Sequence, residues 1–311
     1  MIYWIIGTAG TVILAVLIIA YICYRMAFLA KKEQYTEEYP IPNGPIYEPW
    51  RDTMVNWIRE VRALPSQQFS IRSHDGLTLY GKYYEYAPGA PIELMMHGYR
   101  GDAERDLCGG VQRSFAVGRS ALVVDQRCCG KSQGRTITFG IHEHKDCLAW
   151  VNFMVEHFGK DVRIILTGIS MGASTVLMAA GKPLPTNVIG VLADCGYTSA
   201  KEIIQTVIRQ MKLPPRLSYP FVKLGAMVYG GFNPDAYSAI EAMRNCKIPV
   251  IFYHGETDDF VPCEMSRKNF DACNAEKKLV TIPNAGHGLC YLVDPETYLD
   301  TLRSFFAPYL E

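Results

Sequence analysis

The chain carries no excess of charge: 31 Lys and Arg balance 31 Asp and Glu over 311 residues. That removes the electrostatic footprint of a nucleic-acid binder, and no nucleic-acid partner is expected. Internal repeats, low-complexity tracts and an acidic tail are also missing. Ten cysteines are present, but no spacing among them resembles a disulfide framework or a zinc site. Cys128 and Cys129 are adjacent and the others are scattered, as small buried hydrophobes in a reducing compartment are. His142 and His144 in "HEHKDC" lie two apart, so on a helix they point to different faces, and no metal site is expected. What remains, 49% hydrophobic and 20% charged, supports a sizeable core.

A basic segment ahead of the first apolar run is lacking too. Residues 2–24, "IYWIIGTAGTVILAVLIIAYICY", contain no charge. As a helix they span about 34 Å at ~1.5 Å per residue, enough for the ~30 Å hydrocarbon core of a bilayer. Tyr3 and Trp4 at one end and Tyr21 and Tyr24 at the other suit the two interfaces. The run is too long for a signal peptide and no small-x-small cleavage site follows. Residues 1–30 are therefore read as a single-pass membrane anchor. Arg25, Lys31 and Lys32 follow the span, and the positive-inside rule then keeps the rest of the chain in the cytoplasm.

Residues 31–66 read as a linker leading into a helix. "KKEQYTEEYPIPNGPIYEP" is polar and broken by prolines and glycine, whereas "WRDTMVNWIREVRAL" has helical apolar spacing at Met54, Trp57, Ile58 and Val61. Strand-like runs then appear at 68–73, 77–86, 91–98, 121–126, 162–168, 187–194, 249–255 and 277–283. His74-Asp75-Gly76 marks a hairpin between the first two. Several later runs are continuously apolar, as strands buried on both faces are. Helical stretches alternate with them, at 142–159, 172–181, 266–274 and 295–310. The pattern predicts an α/β protein with a mostly parallel eight-stranded sheet flanked by helices, residues 67–194 and 249–311, opened by an antiparallel hairpin. Residues 195–248 interrupt the alternation and are expected to form a helical cap over the carboxyl ends of the strands.

"TGISMGAS" (167–174) sits where the strand "RIILTG" meets the helix "ASTVLMAAG". Gly168 and Gly172 let the backbone turn tightly and push the Ser170 hydroxyl above the sheet, at a helix N-terminus that favours developing negative charge. Serine needs a base. Of seven histidines, His287 in "NAGHGLC" combines a late loop with flexible neighbours. The base needs an orienting carboxylate. "HGETDDFVP" offers Asp258 and Asp259, with Asp194 a third option, and Asp258 is the expected partner. The order Ser170, Asp258, His287 suits a nucleophile elbow on such a sheet.

With "HGYRG" (97–101), "DQRCCGKSQG" (125–134), "GISMG", "HGETDDFVP" and "AGHG", the chain resembles the α/β-hydrolase superfamily, in particular serine aminopeptidase-like and monoacylglycerol-lipase-like serine hydrolases. The resemblance covers most of residues 65–310. It implies the α/β-hydrolase fold and an oxyanion hole from the backbone N–H groups of Tyr99 and Met171. His97 is then expected to brace the loop, Cys128-Cys129 departs from a commoner glycine-rich pair, and Arg127 and Asp125 read as structural pairs. The implied activity is hydrolysis of a carboxylic ester through an acyl-enzyme, without a cofactor. Small-molecule or lipid acyl esters, or an acylated protein or peptide, are the expected substrates. The apolar residues Ile203, Ile204, Val207, Met211, Leu213, Phe221, Leu224 and Met227 are candidates for an acyl pocket. A peptidase acting at N-terminal residues is the alternative, with Glu202, Asp235 or Glu241 holding the substrate amine. A non-catalytic binding protein on the same fold is a third reading.

Overall fold

The apolar runs become the strands of one sheet: β1 (Gln67–Arg72), β2 (Thr78–Tyr84), β3 (Ile92–Met96), β4 (Ser120–Val124), β5 (Ile164–Ile169), β6 (Val188–Asp194), β7 (Val250–Gly255) and β8 (Lys277–Ile282). The computed structural model describes residues 2–31 and 36–310. Lys32, one of the three charges after the apolar run, lies outside the described residues. Strand order is β1-β2-β4-β3-β5-β6-β7-β8. The pairs β1–β2 and β2–β4 are antiparallel, and the rest are parallel.

Helices cover both faces: α1 (Ile2–Ala27), α2 (Arg51–Ala63), α3 (Ala103–Ala116), α4 (Glu143–Phe158), α5 (Met171–Ala180), α6 (Ala200–Gln210), α7 (Pro215–Tyr229), α8 (Ala239–Asn245), α9 (Cys263–Ala272), α10 (Cys290–Val293) and α11 (Pro295–Leu310). Every residue of β3 is buried. Leu94 and Met96 join the core beneath α4 and α5, while Met95 joins the one beneath α2 and α3. The period of two thus divides one strand between two layers, which is why "IELMM" reads as a continuous apolar run. Glu93, the exception in that run, is fully buried. Its carboxylate receives Arg113, Arg119 (2.9 Å) and the Thr167 hydroxyl (3.0 Å), the pairing a buried charge requires.

Helix α3 is the element the periodicity does not announce. Asp102 caps it, accepting from the N–H groups of Glu104 and Arg105. Gly109 and Gly110 blur its apolar stripe, yet a Cβ at Gly109 would come within 2.7 Å of the Trp57 ring. Gly109 is small because α2 presses against it, and Gly110 faces β3, where a Cβ would meet the Met95 sulfur at 3.0 Å.

Helix α1 does not stand apart from the domain. Ala20, Tyr24 and Phe28 are buried, and α1 lies along α7. The segment 195–248 forms α6, α7 and α8. Helix α7 begins at Pro215 and runs through Pro220. Helix α8, also unannounced, packs on α5 and α9.

Candidate active site

Ser170 separates β5 from α5 with φ 56° and ψ −118°, a conformation that costs a serine energy and persists where its surroundings enforce it. The flanking glycines supply the room. A Cβ on Gly168 would lie 2.2 Å from the Gly172 carbonyl oxygen, and one on Gly172 would lie 2.0 Å from that of Met96. Neither position admits a side chain, so the spacing of the two glycines follows from the tightness of the turn.

Three side chains meet at this turn. The Ser170 Oγ lies 2.9 Å from His287 Nε2, and His287 Nδ1 lies 2.6 Å from Asp258 Oδ2. Asp258 Oδ1 also accepts from the backbone N–H groups of Phe260 (3.0 Å) and Val261 (2.8 Å). Burial pushes the Asp258 carboxyl up, but hydrogen bonding to His254 and His287 outweighs it and holds the group at about 2. The neighbours Asp259 and Asp194 do not take this place. Asp259 is exposed, and Asp194, buried at the end of β6, receives the Tyr298 hydroxyl at 3.0 Å.

His254 is the supporting residue that sequence reading passed over. It is buried on β7, 3.3 Å from Asp258 Oδ2, with Ser266 and the Val261 carbonyl on its two ring nitrogens. Its spacing of four residues from Asp258 was the available signal. His97 braces its loop: Nε2 accepts from the Gln126 N–H (2.9 Å), so Nδ1 donates to the Gly98 carbonyl (2.7 Å). Arg127 and Asp125 are not partners of each other. Arg127 pairs with Asp146 (2.6 Å) and Asp75 (2.9 Å), while Asp125 accepts from the N–H groups of Ala103 and Lys131. Cys128 and Cys129 are buried, Cys128 with φ 73°, and they shape their loop.

Among the described residues, two groups of side chains bring metal-ligating atoms together: His74, Asp75 and His142, and Cys195, Asp258 and His287. In the first, His74 and His142 hydrogen-bond to each other at 3.2 Å and Asp75 is held by Arg127. In the second, burial raises the Cys195 thiol well above its ordinary value, so it stays protonated and is a poor ligand.

A cavity of about 460 Å³ opens at Ser170 and His287, within the range of small-molecule sites. Tyr99 and Phe260, the latter 41% exposed, are among its lining residues. Pro42, Ile46, Tyr47, Met54, Trp57 and Leu107 line it as well, together with the buried Met95, Arg113, Thr167 and Tyr298. Tyr47 also donates to the His287 carbonyl at 3.1 Å. None of the eight apolar residues of 195–248 that were candidates for an acyl pocket lines this cavity. Ile203 and Ile204 are instead buried in the core. The three candidate amine-binding carboxylates are also displaced from it. Glu202 pairs with Lys268, Asp235 pairs with Lys223, and Glu241 is exposed on α8, its N–H donating to the Ser238 hydroxyl that caps the helix.

Of the two expected oxyanion donors, Met171 is the buried first residue of α5. Tyr99 follows Gly98, whose added Cβ would lie 3.7 Å from that of Ser170. The Tyr99 side chain points elsewhere, its hydroxyl donating to the Ala27 carbonyl at 2.8 Å.

Comparison with known proteins agrees with this fold. A family model described as alpha/beta hydrolase fold matches residues 94–226. The chain is similar to the uncharacterized protein YqkD of Bacillus subtilis (26% identity over 190 residues, 61% of this chain) and spans 62%, under two thirds, of that relative's length. It is also similar to Protein bem46 of Schizosaccharomyces pombe, with 24% identity over 78% of this chain and 76% of the relative. Among solved structures, the Pyrococcus furiosus esterase Pf2001 superposes with a TM-score of 0.67 at 19% identity, covering 92% of this chain and 100% of the other. Est1E from Butyrivibrio proteoclasticus, solved with ferulic acid bound, superposes with a TM-score of 0.59 at 21% identity, covering 77% and 98%. The chain has the α/β-hydrolase fold.

Proposed function

We propose that the chain is a membrane-anchored serine hydrolase that cleaves carboxylic esters. The observation that carries this reading is the continuous line of hydrogen bonds from Ser170 Oγ through His287 to Asp258. In the reaction, Ser170 attacks the ester carbonyl as His287 Nε2 takes its proton, and the same nitrogen then protonates the departing alcohol. Water repeats the sequence to release the acid and regenerate Ser170. Asp258, ionised down to about pH 2, keeps the His287 proton on Nδ1 and stabilises the imidazolium. The N–H groups of Tyr99 and Met171 hold the oxyanion. The mostly apolar cavity walls suit an acyl chain or a small aromatic acid, and lipid esters or acylated proteins and peptides fit the same description.

Helix α1 crosses the membrane in this reading, with the hydrolase domain on the cytoplasmic side. Its stretch Gly7–Ala27 is long and apolar enough to span a bilayer, and Arg25 and Lys31 follow the uncharged run. The burial of Ala20, Tyr24 and Phe28 argues against a cleaved signal peptide, since cleavage would strip residues from the core.

The test uses the full chain in detergent micelles. A fluorophosphonate probe should label wild type and not Ser170→Ala, and p-nitrophenyl ester turnover should fall by about 10³-fold or more in that variant. Turnover of aminoacyl anilides in preference to esters would move the activity to peptide bonds. A folded wild-type protein that neither labels nor turns over either series would overturn the reading.

A further inference from the structure

The length of α1 and the place where it docks do not fit a simple tether. From Leu17 onward α1 lies against α7, antiparallel to it. A Cβ on Gly225 would come within 2.3 Å of the Ala20 carbonyl oxygen. The Tyr229 hydroxyl donates to the Leu17 carbonyl at 3.1 Å, and its ring packs on that of Tyr21 at 5.1 Å. Only residues 2–16 project beyond the domain. That is about 22 Å of helix at ~1.5 Å per residue, short of a ~30 Å hydrocarbon core.

The uncharged run continues to Tyr24, and Arg25 is the first charge. Placing Arg25 at the interface brings Leu17 to a depth of about 12 Å along the helix axis at ~1.5 Å per residue. The end of α7 that pairs with Leu17 must then go in with it.

The sequence and surface of α7 agree. Residues 224–232, "LGAMVYGGF", carry no charge. Lys223 and Asp235 flank the stretch, paired with each other at 2.7 Å. Met227 and Val228 are about half exposed, as are Ile18 and Ile22 on the outer side of α1. Apolar side chains are thus left uncovered on both helices, whose facing sides are already packed, and such side chains suit lipid chains.

We propose that the hydrolase domain is seated in the bilayer, with the Gly225–Tyr229 end of α7 in contact with lipid acyl chains beside α1. This rests on the reading of α1 as a membrane span. The seat fixes the distance and tilt of the domain relative to the membrane, which a flexible tether would leave free.

The experiment is site-specific photocrosslinking of the full chain in phosphatidylcholine vesicles that contain radiolabelled phospholipid. The photoreactive residue p-benzoylphenylalanine replaces Val228, with Met227 as a second reporter, Ile13 as a position inside the span and exposed Arg216 at the far end of α7. Thermal unfolding checks that each variant folds. The seat predicts lipid label at 227 and 228 approaching that at 13, and none at 216. Label at 13 without label at 227 or 228 overturns the seat and leaves the span standing. Absence of label at 13 overturns both. Crosslinks from 227 or 228 to a second copy of the chain, in place of lipid, overturn the seat and make this face an interface between copies.

Discussion

Two segments adjoin the strands of the α/β-hydrolase fold, one before them and one inserted among them, and their roles are the reverse of what their compositions suggest. Residues 37–63 are polar and proline-broken at first, the description of a linker, yet Pro42, Ile46, Tyr47, Met54 and Trp57 wall the cavity at Ser170. Residues 195–248 are richer in apolar helix, the description of a cap over a hydrophobic substrate. They line none of that cavity, and α7 receives α1 instead. Apolar composition says that a surface will be covered. It does not say whether a substrate, a bilayer or another helix covers it.

The comparison can be broken most forcefully by removing residues 1–30. If α7 is the partner of α1, the truncated chain loses the burial of Tyr24 and Phe28, on the order of 4 kcal/mol together, and chemical denaturation should show it. A truncated chain as stable as the full one would mean that α1 is a mere tether.

A second test leaves both segments alone and probes the centre between them. The Asp258 carboxyl, held at about 2 against an ordinary 3.8, contributes about 2 kcal/mol of stability. Because its folded value is depressed, that contribution is fully present above about pH 4 and is lost as pH falls through about 2. Asp258→Asn should lie below wild type in stability at neutral pH, with the gap narrowing over that acid window in a pH series of denaturation curves.

Smaller effects separate the two segments as pocket walls. Ile46→Ala should lower kcat/KM for longer acyl p-nitrophenyl esters by about fivefold, on the order of 1 kcal/mol. Leu224→Ala on α7 should leave the chain-length profile unchanged. The opposite result would return the acyl pocket to 195–248.

The smallest effect concerns the link between α1 and the site. Tyr99→Phe removes the hydrogen bond to the Ala27 carbonyl, worth about 0.5 kcal/mol where Arg100 still holds the same helix end through the Met26 and Leu29 carbonyls. A modest fall in kcat with KM unchanged would show that α1 helps to position the loop carrying Tyr99.

Much of the fold could be read directly. All eight strands fall within two residues of the runs that announce them: β3, β4 and β7, buried along their whole length, leave contiguous apolar signals, and the partly exposed β1 and β2 are marked by the hairpin turn between them. Helices α3 and α8 were harder. Gly109 and Gly110 hide the first, and the second is too short to show a period. At the site, Ser170, Asp258 and His287 stand on turns next to strand ends, where glycine spacing and chain order mark them. His254 carries no such mark, since a buried histidine on a strand looks like any core residue until its neighbours are seen.

The sequence by itself determined the alternation of strand and helix, the tight turn at Ser170 and the uncharged length of α1. Each depends on residues close together in the chain, through periodicity, steric room or summed hydrophobicity. Only the tertiary structure decided that Tyr47 holds the His287 loop, that Gly225 receives Ala20 and that Tyr99 reaches Ala27. Those contacts join surfaces distant in sequence, and their fit depends on shape and on single carbonyl positions that no local pattern encodes.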